Sequence, residues 1–103
     1  MATWLIYGAY GYTGQLIGEE AQRRDLRIIA AGRDAEQVAR VEDAWSVPGR
    51  VVSLQDTAAL RDALAEVDGV MHCAGPFEDT AQPMVNACLD TGTHYLDITG
   101  EWR

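Results

Sequence analysis

Three glycines at a spacing of three, in Gly8-Ala9-Tyr10-Gly11-Tyr12-Thr13-Gly14, are the residues of this chain best placed to do chemistry. Before them runs Thr3-Trp4-Leu5-Ile6-Tyr7, a strand-length apolar segment, and after them Thr13 to Arg24 has helical composition and no proline. A loop so placed turns a strand into a helix. One glycine can permit the tight turn, one can remove the Cβ that would block a phosphate, and one can let helix and strand pack closely. A helix beginning near Tyr12 aims unpaired N–H groups and the positive end of its dipole into that turn, which makes a site for a pyrophosphate. The spacing is Gly-x-x-Gly-x-x-Gly rather than Gly-x-Gly-x-x-Gly, and glycine clusters also make plain β-turns. The flanking strand and helix therefore carry the assignment.

The next informative position is the end of the second apolar run, Arg27-Ile28-Ile29-Ala30-Ala31-Gly32. Sites for NAD put a carboxylate there to hold the ribose 2′-hydroxyl, whereas sites for NADP put an arginine nearby to meet the 2′-phosphate. The run ends on Gly32-Arg33 with no acid at its tip. Asp34 is the rival, but Asp34-x-x-Gln37 reads as the capping pair of the following helix, which favours Arg33 as phosphate ligand and NADP over NAD. The bland alternative for Arg33 is a solvated surface arginine. All eight basic residues are arginine. Without lysine the chain has no P-loop lysine, no Schiff-base lysine and no Tyr-x-x-x-Lys proton-transfer pair. His72 lies alone in an apolar run with no nucleophile or carboxylate partner evident, and reads as structural. Cys73 and Cys88 lack metal spacing and read as reduced, buried small residues, so no metal site is expected.

The elements that must position these residues alternate. After the first helix, with Leu16, Ile17 and Ala21 as its expected inner face, the unbroken apolar second strand suggests burial on both sides. Gly18, unfavourable inside a helix, is expected to allow close packing on the sheet. A second helix carries Ala35, Val38, Ala39 and Val41, and Trp45, ahead of the third strand, reads as a packing residue. A third strand is expected over Arg50–Leu54. A third helix over Asp56–Val67 has Leu60, Ala63, Leu64 and Val67 inside and Asp56 as cap. A fourth strand, Gly69–Ala74, stops at Gly75-Pro76. There Ala74, Gly75 and Pro76 are small enough for a cofactor to approach across the crevice. A fourth helix over Thr80–Asp90 has Pro83 in its first turn, Gly92 as its C-terminal cap, and Met84, Val85, Cys88 and Leu89 as apolar stripe. A fifth strand follows over His94–Thr99. Such alternation predicts an α/β fold, doubly wound: one parallel sheet of order 3-2-1-4-5 with helices on both faces.

The chain of 103 residues is read as one domain, long enough for a single core and short for a complete two-domain enzyme. Its 48% hydrophobic and 23% charged residues describe a soluble globular chain. A net charge of −8 argues against nucleic acid and anionic membrane as partners. No basic lead-in or targeting segment is visible, and a cytoplasmic location is expected.

Taken together, the glycine loop, Ala31-Gly32-Arg33, Cys73-Ala74-Gly75-Pro76-Phe77 and Gly92-Thr93-His94-Tyr95-Leu96-Asp97-Ile98-Thr99-Gly100-Glu101 resemble the N-terminal NAD(P)-binding domain of saccharopine dehydrogenase-like oxidoreductases, a group that includes trans-acting enoyl reductases. The last stretch is the most specific, and the likeness spans nearly the whole chain. The resemblance implies a Rossmann fold and a nicotinamide dinucleotide, NADP(H) in preference to NAD, used for hydride transfer. It maps Gly8, Tyr10, Gly11, Tyr12, Thr13, Gly14 and Arg33 to cofactor contact, and Ala74, Gly75 and Pro76 to the ribose and nicotinamide side. Tyr10 stands where that family commonly has threonine. Family members continue into a region that binds a small-molecule substrate and forms dimers, so residues 1–103 are read as the cofactor half of a longer protein, inactive alone. A homo-oligomer is compatible with that reading. No catalytic acid or base is assigned, and Asp97 and Glu101 are structural or rim groups. A non-catalytic dinucleotide sensor or regulatory module is the alternative.

Overall fold

In the computed structural model, which describes residues 2–73 and 77–97, strand and helix alternate throughout. The elements are β1 (Thr3–Tyr7), α1 (Tyr12–Arg23), β2 (Arg27–Gly32), α2 (Ala35–Trp45), β3 (Gly49–Val51), α3 (Thr57–Ala65), β4 (Gly69–His72), α4 (Phe77–Thr91) and β5 (His94–Asp97). The five strands form one sheet of order β3-β2-β1-β4-β5, every pairing parallel, as the alternation predicts. Parallel neighbours need a crossover of a dozen or more residues, and the helices supply it. β1 lies at the centre, with Tyr7 opposite both Ala31 of β2 and His72 of β4. The C-terminal ends of the three inner strands thus finish level, and the loops that follow them share one rim.

Both faces of the sheet are covered. Leu5, Tyr7, Ala31 and Val70 pack with Leu60, Ala63 and Leu64 of α3 and with Met84, Ala87 and Cys88 of α4. On the opposite face Ile6, Ile28 and Ala30 pack with Ala21 of α1 and Val41 of α2. Alternate residues of each strand point to opposite faces, so a strand buried on both sides has no polar stripe, which is why β1 and β2 read as continuous apolar runs.

Several boundaries and faces depart from the sequence reading. The buried face of α1 is Gly14, Gly18 and Ala21 with Ile17 half-buried, while Leu16 is 51% exposed. Leu16 stands two residues, about 200°, round the helix from Gly14, and the closeness of α1 to β1 at Gly14 fixes which side faces in. Gly18 owes its place to a neighbouring helix rather than the sheet: a Cβ there would overlap the indole ring of Trp45. Gln22 Nε2 also donates to Trp45 O at 2.7 Å, tying α1 to the end of α2. On α4, Ala87 takes the inward place expected of Leu89, which is 76% exposed because it stands a further 100° round from Cys88.

β3 is shorter than Arg50–Leu54. Val52 O accepts the Tyr7 hydroxyl at 2.9 Å in place of a ladder partner, and Ser53 Oγ then accepts from Gln55 N as the chain bends toward α3. α3 ends at Ala65, its next two N–H groups making tighter three-residue bonds, from Glu66 to Ala63 O and from Val67 to Leu64 O. α4 begins at Phe77 rather than Thr80, which puts Pro83 past the first turn and inside the helix. Its proline nitrogen cannot bond back, so the turn before it is the weak point of that helix. The expected C-terminal cap is present: Gly92 has φ +72° and Thr93 N donates to Cys88 O at 2.9 Å, a Schellman closure. Ile98 and Thr99, expected at the end of β5, lie outside the described residues, as do Ala74, Gly75 and Pro76 at the end of β4.

Candidate dinucleotide site

The three glycines of the loop do different work. Gly8 has φ +85°, a left-handed conformation that side chains avoid, and it makes the sharp exit from β1. Gly14 sits where α1 crosses the loop: a Cβ there would overlap Gly8 O and lie 2.8 Å from Ala9 Cα. Gly11, the residue before the helix, has φ −78° and ψ 171°, open to any residue, and a Cβ on it would meet Gly8 O at an ordinary 3.4 Å. The chain's own packing therefore requires glycine at positions 8 and 14 and not at 11.

The loop is fastened to β2. Gly8 N and Ala9 N both donate to Ala31 O, at 2.9 and 3.2 Å, and Gly11 N donates back to Gly8 O at 3.1 Å. Those three donors are spent inside the protein. Donors remain at the start of the helix, on Tyr12, Thr13 and Gly14, since the opening N–H groups of a helix have no partner within it. Among the described residues no side chain caps this helix, and its first turn carries no acid. Gly11 and Tyr12 are exposed and Thr13 half-buried, so this helix end opens to solvent. A bare backbone, a positive helix terminus and a first turn without an acid fit a diphosphate.

At the tip of β2 the two candidate residues separate. Asp34 is the cap of α2, its Oδ1 accepting from Glu36 N at 3.0 Å and Gln37 N at 3.2 Å, with Gln37 Nε2 3.4 Å from Oδ2. The backbone N–H of Gln37, then its side chain, hold the Asp34 carboxyl below the usual carboxylate range. That carboxylate is engaged in starting a helix. Arg33 is exposed beside it, and no hydrogen bond or ion pair of the described residues holds its guanidinium.

Tyr7 and Gly32 complete this corner, and neither is among the contacts expected from the sequence. Burial pushes the Tyr7 phenol up to about 12, with Tyr10 adding to the rise and the Arg33 guanidinium opposing it. Tyr10 and Arg33 are thus both within electrostatic reach of the Tyr7 hydroxyl. Tyr10 itself lies over Gly32: a Cβ on Gly32 would be 3.0 Å from Tyr10 Cζ and 3.1 Å from its hydroxyl oxygen, and nearer to the ring edge. The bulky residue in the loop is accommodated because the strand beneath it ends in glycine. The signal was legible only as the pair Gly32-Arg33; nothing in the sequence links Tyr10 to a residue twenty-two positions away.

His72 is fully buried, its ring edge-on to both Tyr7 and Tyr95, with Nδ1 2.9 Å from the Tyr95 hydroxyl. It braces β4 against β5, which agrees with a structural role. Of the expected contacts, Gly8, Tyr10, Gly11, Tyr12, Thr13, Gly14 and Arg33 gather at the ends of β1 and β2. Ala74, Gly75, Pro76 and Glu101 lie outside the described residues. No helix among the described residues is long and apolar enough to cross a membrane.

Comparison with known proteins agrees with this fold. Residues 4–101 match the model of the saccharopine dehydrogenase NADP binding domain. A trans-acting enoyl reductase of Mycobacterium ulcerans is 33% identical over 104 residues, covering 94% of this chain and 25% of the relative. A saccharopine dehydrogenase-like oxidoreductase of Bos taurus is 30% identical over 116 residues, covering 94% of this chain and 27% of the relative. Among solved structures, apo saccharopine dehydrogenase (L-Glu forming) from Saccharomyces cerevisiae superposes with a TM-score of 0.84 at 17% identity, covering 100% of this chain and 22% of that one, a likeness of fold. The chain spans about a quarter of the length of the curated relatives it matches. It is a Rossmann-type domain, and it belongs to the saccharopine dehydrogenase NADP-binding domain family.

Proposed function

We propose that this chain binds NADP(H) in preference to NAD(H), as the cofactor-holding part of a cytoplasmic oxidoreductase whose substrate is held by residues beyond these 103. The observation that carries the reading is the division of labour at the tip of β2: Asp34 is engaged as a helix cap, and Arg33 stands exposed beside the glycine loop. Tyr12, Thr13 and Gly14 would hold the diphosphate through their backbone N–H groups, with Gly11 leaving the approach open. Arg33 would meet the ribose 2′-phosphate, where a planar guanidinium can make paired charge-assisted hydrogen bonds. When bound, the nicotinamide supplies a hydride donor or acceptor; the protein's part is to fix its place against a substrate.

Titration of the chain with NADPH and NADH, followed by tryptophan emission, tests this. Arg33→Ala weakens NADPH binding by ~1.5–3 kcal/mol, the range for a hydrogen bond to a charged group, and leaves NADH almost unchanged. Equal affinity of the unmodified chain for the two dinucleotides would remove the role of Arg33.

A further inference from the structure

We propose that Tyr10 keeps the last residue of β2 free of a carboxylate, by filling the place that such a side chain would need at the dinucleotide site. The inference rests on the reading of that site as one for NADP(H). Gly32 ends β2, and its missing side chain would point into the Tyr10 ring, 3.0 Å from Cζ and 3.1 Å from the hydroxyl oxygen. Gly32 itself is buried. An aspartate there would project a carboxylate from the strand tip toward the ribose, the arrangement that selects a free 2′-hydroxyl. Tyr10 forbids it.

The ring is not simply free to swing aside. Tyr10 is half-buried and packs with the cluster of Ile6, Ala9, Ala30 and Val41 under α1 and α2. Its backbone is held on both sides, by the bond from Ala9 N to Ala31 O and by that from Gln15 Nε2 to Tyr10 O at 2.9 Å. Turning the ring out would expose aromatic surface and open a gap at the edge of that cluster. The strand tip stays bare, and Arg33 is the first side chain that the nucleotide meets beyond it.

The test compares the unmodified chain with Gly32→Asp, Tyr10→Ala and the double variant, titrated with NADPH and NADH. Tyr10→Ala alone keeps the preference for NADPH, since Arg33 remains. Gly32→Asp alone loses about tenfold or more in NADPH affinity without gaining NADH, an effect of the size of one charged hydrogen bond. The double variant binds NADH about tenfold more tightly than Gly32→Asp does and places it above NADPH. If Gly32→Asp alone gains NADH as fully as the double variant, Tyr10 guards nothing and the inference falls. A thermal-melting cycle with Gly32→Ala needs no ligand: Gly32→Ala lowers the melting temperature of the chain that keeps Tyr10 and leaves that of the Tyr10→Ala variant unchanged, whereas equal shifts in the two backgrounds would overturn the contact. An unmodified chain indifferent to the two dinucleotides would refute the role of Arg33, and the melting cycle would still decide that of Tyr10.

Discussion

Alanine at Gly11 and alanine at Gly14 should have opposite consequences, although the two glycines belong to one motif. At position 14 the new Cβ overlaps Gly8 O and lies 2.8 Å from Ala9 Cα, both backbone atoms of a loop held to Ala31. Neither can yield without breaking that attachment. Overpacking of this kind costs about 1–3 kcal/mol, and contact with rigid backbone places it at the upper end, offset by roughly 1 kcal/mol because alanine is the better helix former. A net loss of about 2 kcal/mol lowers the melting temperature by roughly 8–16 °C in a domain of this size. At position 11 the nearest atom is an ordinary 3.4 Å away and φ is −78°. The poorer capping by alanine and the reduced freedom of the unfolded chain offset each other to within ~0.5 kcal/mol. Gly11→Ala should therefore melt with the unmodified chain and bind NADPH at least about tenfold more weakly, because a methyl group stands where the diphosphate approaches. Urea denaturation gives the first quantity and fluorescence titration the second. A Gly11→Ala variant that binds NADPH normally would refute the assignment of this helix end as the phosphate site, and one that unfolds as easily as Gly14→Ala would refute the division of roles among the glycines.

Three further outcomes are expected. Gly18→Ala should destabilise the chain by about 1–2 kcal/mol despite alanine's helix propensity, because its Cβ meets the Trp45 ring, and should red-shift tryptophan emission; an unchanged or raised melting temperature would show the helix contact to be slack. Asp34 has a folded-state pKa below its unfolded one, so its contribution is complete above about pH 4, the usual range for the free side chain, and fades as pH falls through the folded value. Asp34→Asn should flatten that part of the acid-stability profile and leave NADH binding unchanged, whereas a loss of NADH binding would return the residue to the ribose. Burial pushes the Cys88 thiol up to about 11, so at pH 8 a thiol reagent should modify half-buried Cys73 in the folded chain and Cys88 only after denaturation; rapid modification of both would contradict the packing of α4.

The sheet order was legible because each apolar run of strand length was separated from the next by a helix-length segment with its own stops. β1 and β2 were readable to the residue, since Gly8 and Gly32-Arg33 end them abruptly. Faces were read less well. Leu16 and Leu89 are apolar and adjoin Ile17 and Cys88 in sequence, but the buried side of α1 is set by how closely two glycines let it approach, a property of volume rather than hydrophobicity. The reason for Gly18 was hidden for the same cause, because Trp45 reaches it from a separate helix. β3 could not be ended from sequence: Val52 has the residue type of a strand, and it is the hydroxyl of Tyr7, forty-five residues away, that takes its carbonyl out of the ladder. In the site, Arg33 and the loop were visible as local spacing, whereas the seating of Tyr10 on Gly32 exists only once β1 and β2 lie side by side.

The double grip of Ala31 O on the amides of Gly8 and Ala9 has a kinetic corollary. A rim clamped this way before any nucleotide arrives gives up little further freedom on capture. Deuterium uptake at those two amides should already be as slow in the empty protein as at the midpoint of the central strand, and the arriving dinucleotide should leave it unaltered.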